Sequence, residues 1–387
     1  MHGSAAAAVA FYDPRLGAVI VASHSVQFRE GEVLDIDLPL SDPPGSIPCK
    51  ADTISLLNPI AEDPNKNTLV RTLDQKLKKP LHRRILDWLV PIRFTPLCLT
   101  FQFEKGTDFE ISRFRGVWGR ALKSLNEEVY SKIFEGNDES NQQTPRYIIR
   151  PSEIFESDQD NRAKFFSEKI DFITWGTTAK EQQILMRAWH IAANFGLGKG
   201  RIPFTLKSIE PYAHFSETNP ISTADAVRNR EFSPNEPCRL LFPVPLRLIA
   251  GRKEGKHRIE SPILSDLIRA GITRLNTLRN QILEVNRETD LVGGLPEFYK
   301  EAMELAENTD TDPWQGESAA LRRYSGRQKA EIDLAGTVGY MDLPNGPGEL
   351  APILAADEIF HFGKTTSIGL GRMITVTEDK TLMYALD

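Results

Sequence analysis

A glycine-rich stretch near the carboxyl end, HFGKTTSIGLGR from His361 to Arg372, combines residue types that can contact phosphate. Glycine permits positive φ and a close backbone approach, so backbone N–H groups can surround a phosphate oxygen. The alternative is a glycine turn that only joins two strands. A chance turn does not explain why a second run, NFGLGKGR from Asn194 to Arg201, has the same composition.

The stretch does not fit the common nucleotide-binding motifs. A P-loop ending in Gly363-Lys364-Thr365 requires a glycine at position 358, where the chain has Glu358. The dinucleotide fingerprint fails because Ile374 stands where its third glycine belongs. A nucleoside triphosphate or dinucleotide site is therefore not expected.

Charge is unevenly distributed along the 387 residues. The net charge is −6, which as a total counts against nucleic-acid binding. Between Arg239 and Arg287, however, ten lysines and arginines face only four acidic residues, and a second basic cluster, KLKKPLHRR, runs from Lys76 to Arg84. Local patches, and not the total, set phosphate affinity, so binding of a polyanion stays open.

Other function classes are disfavoured by composition. The chain is 40% hydrophobic with a mean hydropathy of −0.33, and no apolar run is long enough to span a bilayer. The start, MHGSAAAAVAF, lacks the basic region of a secretory signal. Cys49, Cys98 and Cys238 lie far apart without a CxxC pair, and no HExxH occurs. We expect a cytoplasmic protein without a membrane contact, a bound metal or another cofactor.

Hydrophobic periodicity predicts alternating strands and helices. Helices are predicted from about Leu69 with a kink at Pro80, from near Arg115, after an N-cap at Thr178, and after an N-cap at Ser261 with an apolar stripe that includes Ile263. Strands are predicted over AVAFYD, GAVIVAS, RFTPLCLTFQFE, PRYIIRP, EKIDFITWG, RIPFTLKSIEPY, RLLFPVPLRLIAG, AEIDLAGTVGYMDL, IFHFG and SIGLGRMITVTED.

The order of these elements predicts an α+β fold with two tandem ferredoxin-like (RRM-like) domains and an N-terminal extension. The extension covers residues 1–90. The first domain covers residues 91–215 and the second, which contains the glycine-rich stretch, covers residues 236–387. The polar stretch from Glu210 to Pro237 is interpreted as the connection.

Four stretches in this order resemble the CRISPR-associated pre-crRNA-processing endoribonucleases of the RAMP superfamily. They are FRGVWGRALKSL, which is similar to the opening of the first helix of that family, PRYIIRPSE, FGLGKGRIPFTLKSI and FGKTTSIGLGRM, which is similar to its glycine-rich loop. The resemblance covers residues 91–386 and offers no counterpart for residues 1–90.

The resemblance implies metal-independent cleavage of CRISPR repeat RNA by attack of a 2′-hydroxyl. That reaction needs a base, an acid and cations for the phosphorane charge. Several relatives carry a histidine on the first helix, but no histidine occurs here between Arg83 and Trp189. The catalytic candidates are Arg115, Arg120, Lys123 and Tyr130, together with His190, for which half-buried core packing is the favoured alternative. Arg115 and Arg120 could equally be solvated or capping residues.

The resemblance also supplies candidate RNA contacts. The expected contacts are Lys199 and Arg201 in the first glycine run, Arg252, Lys253, Lys256, His257 and Arg258 in a basic turn, and Gly363, Lys364, Thr365, Thr366, Gly369, Gly371 and Arg372 in the second glycine run. His361 is expected either near RNA or packed in a strand. A solvated loop is the alternative for the basic turn.

Three functions remain open. The first is a crRNA-maturation endoribonuclease that stays bound to its product with other subunits of a CRISPR effector complex. The paired glycine turns at both domain ends favour this first interpretation. The second is a non-catalytic crRNA-binding subunit, favoured by the absence of a histidine on the first helix. The third is an RNA-binding protein outside CRISPR systems.

Overall fold

The computed structural model describes residues 4–13, 18–27, 79–103, 111–136, 144–151, 169–197, 200–211, 220–228, 234–250, 257–283, 294–325, 330–377 and 381–382. The chain forms two compact units, Met1–Lys79 and Pro80–Asp387. No helix in the described ranges is long and apolar enough to cross a membrane.

The described residues of the first unit form an antiparallel hairpin. Strand β1 (Ser4–Asp13) pairs with β2 (Ala18–Gln27) over their full lengths, from Ser4 opposite Gln27 to Asp13 opposite Ala18. The hairpin confirms the two strands predicted from the apolar runs at the start of the chain.

The second unit begins with a helix that leads into a mixed α+β segment. Its elements are α1 (Leu81–Leu89), β3 (Arg93–Phe103), α2 (Ile111–Leu125), β4 (Tyr147–Pro151), β5 (Lys169–Trp175), α3 (Ala179–Phe195), β6 (Phe204–Pro211), β7 (Ile221–Ser222) and α4 (Thr223–Arg228). The strands form an antiparallel sheet in the order β4-β5-β3-β6, and β7 pairs with the start of β3.

Both faces of this sheet are buried, as the alternation of side chains along β4 shows. Tyr147 and Ile149 pack with Trp118 of α2 and Trp189 of α3, whereas Ile148 belongs to a second core with Phe360. Successive side chains of a strand point to opposite faces. One face is therefore covered by α2 and α3, and the other by the carboxyl-terminal half.

The carboxyl-terminal half is a second antiparallel sheet with its own helices. Its elements are β8 (Cys238–Leu246), β9 (Leu248–Ala250), β10 (His257–Ile259), α5 (Leu264–Leu283), α6 (Tyr299–Asn308), β11 (Gln315–Ala319), β12 (Arg322–Ser325), β13 (Ala330–Asp333), β14 (Gly336–Leu343), α7 (Ala351–Phe360), β15 (Ile374–Val376) and β16 (Thr381–Leu382). The sheet order is β11-β14-β8-β15-β16, and β9–β10 and β12–β13 form separate hairpins.

Helix caps confirm one prediction and correct another. Thr178 forms a capping box with Glu181 at the start of α3, as its sequence predicts. Helix α5, by contrast, begins at Leu264, and the Asp266 carboxylate accepts a hydrogen bond from the Ile263 N–H. Ile263 is 59% exposed and lies outside the buried stripe, because it precedes the first helical turn.

Two predicted strands are wrong in whole or in part. In the run IFHFG, Ile359 and Phe360 are the last residues of α7, and His361 and Gly363 have positive φ, so no part of it is a strand. A short apolar run does not distinguish a buried strand from the end of a buried helix. Within SIGLGRMITVTED, the described residues up to 377 form a strand only at Ile374–Val376, because Gly369 and Gly371 have positive φ and interrupt extended structure.

Two segments before the second sheet also differ from expectation. The connection from Glu210 to Pro237 contains α4, which is largely buried. Helix α1 begins at Leu81, directly after Pro80, and it confirms only the second part of the helix predicted from about Leu69 with a kink at Pro80. Residues 69–78 lie outside the described ranges.

Candidate functional site

A groove of about 540 Å³ lies between α5, the β9–β10 hairpin and the loop His361–Arg372, hereafter the glycine loop. Four cationic side chains line it against one carboxylate, that of Asp266. The cations are Arg247, Arg269, Arg274 and Lys364. Hydroxyl groups of Thr273, Thr277, Thr365, Thr366 and Ser367 complete a lining that suits an anionic ligand.

The glycine loop reaches the groove through close backbone contacts with β8 and the residue that follows it. A Cβ atom on Gly363 would lie 2.4 Å from the carbonyl oxygen of Arg247, and Gly363 has φ +74°. A Cβ atom on Gly371 would lie 2.0 Å from the Phe362 carbonyl oxygen. Glycine is therefore required at both positions by the fold itself.

The loop uses only part of its backbone N–H groups to hold its shape. Those of Lys364, Gly369 and Gly371 donate to the carbonyls of Arg247, Thr366 and Pro245. The N–H groups of Thr366 and Ser367 have no such partner among the described residues. The glycines thus act as turn residues, while Thr366 and Ser367 retain donors beside the groove.

Thr365 has an unusual backbone conformation at the edge of the groove. Its φ of +66° lies in the left-handed region, which a β-branched residue rarely adopts. Such strain persists only where the surrounding structure imposes it, and it is concentrated at functional sites.

Arg274 provides a partly buried charge in the groove. Its Nε and Nη2 atoms are shielded from solvent and have no hydrogen-bond partner within the described ranges. Its guanidinium lies 5.2 Å from the Trp175 ring centroid. Burial lowers the pKa of Arg274 to about 10, and the charge of Asp357 acts in the opposite direction. Arg274 remains cationic at neutral pH and has unused donors.

Asp357 lies behind the groove and is completely buried. Neither carboxylate oxygen has a hydrogen-bond partner among the described residues, and a Cβ atom on Gly271 of α5 would lie 1.9 Å from Oδ2. Burial raises the pKa of Asp357 well above its ordinary value, against the opposing charge of Arg274.

Arg150 anchors the glycine loop to the first sheet. Its Nε donates to Asp171 at 2.7 Å, and its Nη1 lies 3.1 Å from the Glu358 carbonyl and 2.8 Å from His361 Nε2. Burial, Arg150 and Arg372 lower the pKa of His361 well below its ordinary value. His361 is therefore a neutral interior residue.

Arg372, one of the predicted RNA contacts, is buried and connects the glycine loop to β4. Its side chain is 3% exposed, and Nη1 donates to the Pro151 carbonyl at 2.7 Å. It holds the carboxyl end of the glycine loop on β4. Lys364, in contrast, is exposed and borders the groove.

The arginines of α2 that were predicted to act together lie in different surroundings. Arg115 donates from Nε to the Tyr147 hydroxyl at 2.6 Å and stacks over the Phe134 ring at 4.3 Å. Arg120 is exposed and lines a separate pocket of about 400 Å³ with Arg201. The two guanidinium groups do not share a partner or a cavity.

The remaining catalytic candidates do not complete a reaction centre. Lys123 lies 3.5 Å from Glu127 and 5.3 Å from the Tyr130 ring centroid. Tyr130 stacks on Phe134. His190 is exposed on α3, contrary to the expectation of half-buried core packing.

The basic turn is positioned beside the groove. Strand β10 pairs His257 with Ala250 and Arg258 with Ile249, and both partner residues line the groove. Arg258 also contacts Glu260 and Ser318. The predicted contacts Lys199, Arg252, Lys253 and Lys256 lie outside the described ranges.

Three of the four groove cations, Arg247, Arg269 and Arg274, are not among the site residues predicted from the sequence. The excess of basic residues between Arg239 and Arg287 was the available signal. It could not separate groove-facing arginines from those on other helix faces, because that depends on how α5 packs against the glycine loop.

Two family models match parts of the chain. Residues 93–234 match the AF_1859_N family, described as an N-terminal domain. Residues 1–35 match the family described as CRISPR-associated protein (Cas_csx3), a counterpart that the sequence analysis did not find. No curated protein matches the sequence.

Comparison with solved structures finds matches to Cas6 and RAMP proteins, with TM-scores below 0.5. The match to a Cas6 product complex has 14% sequence identity and a TM-score of 0.46, and it covers 74% of this chain and 100% of the Cas6 chain. Cas6 of Thermus thermophilus is 11% identical over 74% and 99% of the chains, with a TM-score of 0.44. A Cas6-related protein of Pyrococcus furiosus is 10% identical over 74% and 99%, with a TM-score of 0.40. These similarities assign no activity to this chain.

Proposed function

We propose that this chain binds CRISPR repeat RNA in the groove and acts as a crRNA-binding subunit of the RAMP type. The carrying observation is that the glycine loop, predicted as an RNA contact, lines a cationic groove together with Ile249 and Ala250, the strand partners of Arg258 and His257 of the predicted basic turn. The four groove cations exceed the single carboxylate, and RNA phosphates supply the matching charge.

Sheet topology supports two tandem ferredoxin-like domains. If β3, β4, β5 and β6 are numbered 1 to 4 along the chain, their order in the first sheet is 2-3-1-4. Helix α2 follows the first of these strands and α3 follows the third. Strands β8, β11, β14 and β15 repeat this order, with α5 and α7 in the same positions. Both arrangements agree with a β-α-β-β-α-β unit.

The residues that line the groove favour contacts with an RNA backbone over recognition of base edges. An A-form helix presents phosphates and 2′-hydroxyls to a protein, and its bases are poorly accessible in the deep major groove. Arginine, lysine and threonine side chains match those groups. A repeat hairpin, held largely through its backbone, is the substrate class that this lining supports.

Metal-independent cleavage of the repeat is the second candidate function. The helix residues expected to catalyse it do not converge, which favours binding without cleavage. One observation keeps cleavage open: His257, an exposed residue of β10, is paired with a residue that lines the groove. A histidine beside several cations can supply a base and phosphorane stabilisation for 2′-hydroxyl attack.

A binding and cleavage experiment with end-labelled repeat RNA in EDTA tests both candidates. We expect tight binding by the full chain, weakened about tenfold or more in an Arg247→Ala/Lys364→Ala variant. Lys180→Ala and Arg187→Ala, which change exposed residues of α3 outside the groove, are the matched controls. Equal affinity of the groove variant and the controls would exclude the groove as the RNA site.

Cleavage products are read from the same reactions. Absence of a product in EDTA supports the binding subunit. A single cut that is lost in His257→Ala supports the nuclease with a base on β10. A cut lost only in an Arg115→Ala/Arg120→Ala variant supports catalysis by α2. Product that remains bound would agree with retention within an effector complex that contains further subunits.

A further inference from the structure

A second pocket, distinct from the groove, lies where α2 meets the turn between α3 and β6. Its volume is about 400 Å³, and Arg120, Asn194, Phe195, Gly196 and Arg201 contribute to its lining. It shares no lining residue with the groove. The size is that of a small-ligand site.

The charge of this pocket is one-sided. Arg120 and Arg201 are its charged lining residues, and no carboxylate is among the described residues that line it. Neither arginine has an ion pair or a side-chain hydrogen bond within the described part of the chain. Two arginines at one cavity without a counter-ion repel each other, and an anion between them relieves that repulsion.

The turn that carries Arg201 is held in a constrained conformation. Arg201 has φ +48°, in the left-handed region that residues with a side chain rarely adopt. The preceding turn residue Gly196 has φ +67°, and a Cβ atom there would lie 2.4 Å from the Arg201 carbonyl oxygen. Leu197 and Ile202 exchange backbone hydrogen bonds across the turn. These contacts fix Arg201 at the pocket without any ion pair of its own.

Phe195 adds an aromatic surface to the two charges. It is half-buried at the end of α3 and lines the pocket beside exposed Asn194. An aromatic ring for stacking a base, cations for the adjoining phosphate and an amide for a base edge are the groups that bind unpaired nucleotides. An acidic protein segment would match the charge but would not use the aromatic ring.

We propose that this pocket binds one unpaired nucleotide of RNA that flanks the repeat hairpin, with its phosphate between Arg120 and Arg201. Arg120 then contributes to RNA binding and not to catalysis. The proposal rests on the proposed function only for the origin of the RNA, since the pocket itself recognises single-stranded RNA.

The test compares four fluorescent RNAs: the repeat hairpin, the hairpin with about six unpaired nucleotides on its 5′ side, the hairpin with the same number on its 3′ side, and the unpaired segment alone. We expect one of the extensions to tighten binding by about fivefold or more. An Arg120→Ala/Arg201→Ala variant should lose this gain and still bind the bare hairpin with unchanged affinity. Phe195→Leu should lose part of the gain. Arg187→Ala, an exposed arginine of α3 outside both pockets, is the control.

The position of the contact is read independently by cross-linking. A 4-thiouridine in the extension should cross-link to the peptide that contains Phe195 and Arg201, and this cross-link should disappear in the double variant.

The outcomes separate this proposal from the proposed function. Hairpin binding without any gain from either extension overturns the nucleotide pocket and leaves the groove intact. If the groove variants no longer bind the hairpin but still bind the unpaired segment alone, the pocket is supported independently of the groove. A gain that survives in the double variant also overturns the proposal.

Discussion

Arg150 on β4 and Asp171 on β5 form a buried ion pair, with 2.7 Å between Nε and Oδ2 and side chains that are each 2% exposed. The same guanidinium reaches the Glu358 carbonyl and His361, so one residue connects the first sheet to α7 and the glycine loop. Removal of one partner leaves an uncompensated buried charge.

Asp171→Asn should therefore lower the free energy of unfolding by about 3–5 kcal/mol, measured by urea denaturation. The exposed pair Arg239–Asp342 is the matched control, because its Nε–Oδ1 distance is also 2.7 Å. Asp342→Asn should cost about 1 kcal/mol or less, since solvent screens that pair. Equal effects of the two substitutions would contradict the structural role of Arg150.

The two arginines of α2 should differ in their effect on stability. Arg115→Ala removes the hydrogen bond to the Tyr147 hydroxyl and the contact with Phe134, and should cost about 1–3 kcal/mol. Arg120→Ala should change stability by no more than about 0.5 kcal/mol, because Arg120 is exposed. Thermal and urea unfolding of both variants check this before any loss of RNA cleavage is attributed to catalysis.

The two glycines of the RGVWG motif should also differ. A Cβ atom on Gly119 would lie 2.3 Å from the Phe134 ring, so Gly119→Ala should destabilise the protein by about 1–3 kcal/mol. Gly116 has no atom within 4 Å of such a Cβ. Gly116→Ala should stabilise α2 by about 0.5–1 kcal/mol, because alanine is the better helix former. Opposite signs in urea denaturation are the expected result.

His361 should make stability fall as the solution is acidified. Its folded pKa is depressed by burial and by Arg150 and Arg372, so the unfolded chain binds a proton that the folded chain does not. The contribution is present above the unfolded pKa of about 6.5 and is lost as pH falls toward the folded pKa. His361→Asn should flatten the dependence of unfolding free energy between about pH 7 and about pH 5.

Asp357 should act in the opposite direction. Burial raises its folded pKa, so its contribution is present below the unfolded pKa and is lost as pH rises toward the folded pKa. The unfolding free energy of Asp357→Asn minus that of the unmodified chain should therefore become more positive from about pH 4 to about pH 8. A constant difference across this range would show that Asp357 is ionised in the folded chain as readily as in the unfolded one.

Salt dependence measures the contribution of Lys364 to RNA binding. The logarithm of the association constant should fall linearly with the logarithm of salt concentration, and Lys364→Ala should reduce the slope by about one. Lys180→Ala, on the exposed surface of α3, should leave the slope unchanged. An unchanged slope in Lys364→Ala would place that lysine away from phosphate.

Predictions from sequence succeeded where local pattern decides the structure. The capping box at Thr178 and the apolar runs that form β3 to β6 need only neighbouring residues to be recognised. The strand predicted over IFHFG is wrong because Ile359 and Phe360 end the buried helix α7 and His361 turns the chain out of it, which a five-residue apolar pattern does not show.

The sequence by itself determined that the chain carries two glycine runs, a basic excess from Arg239 to Arg287 and a first helix without histidine. Tertiary structure decided which of these groups meet. It brings Lys364 together with Arg247, Arg269 and Arg274, and it buries Arg372 and His361. It also places Arg115 and Arg120, which are only five positions apart on one helix, in different surroundings. Burial and cavity lining depend on the packing of distant segments, and residue types alone do not specify that packing.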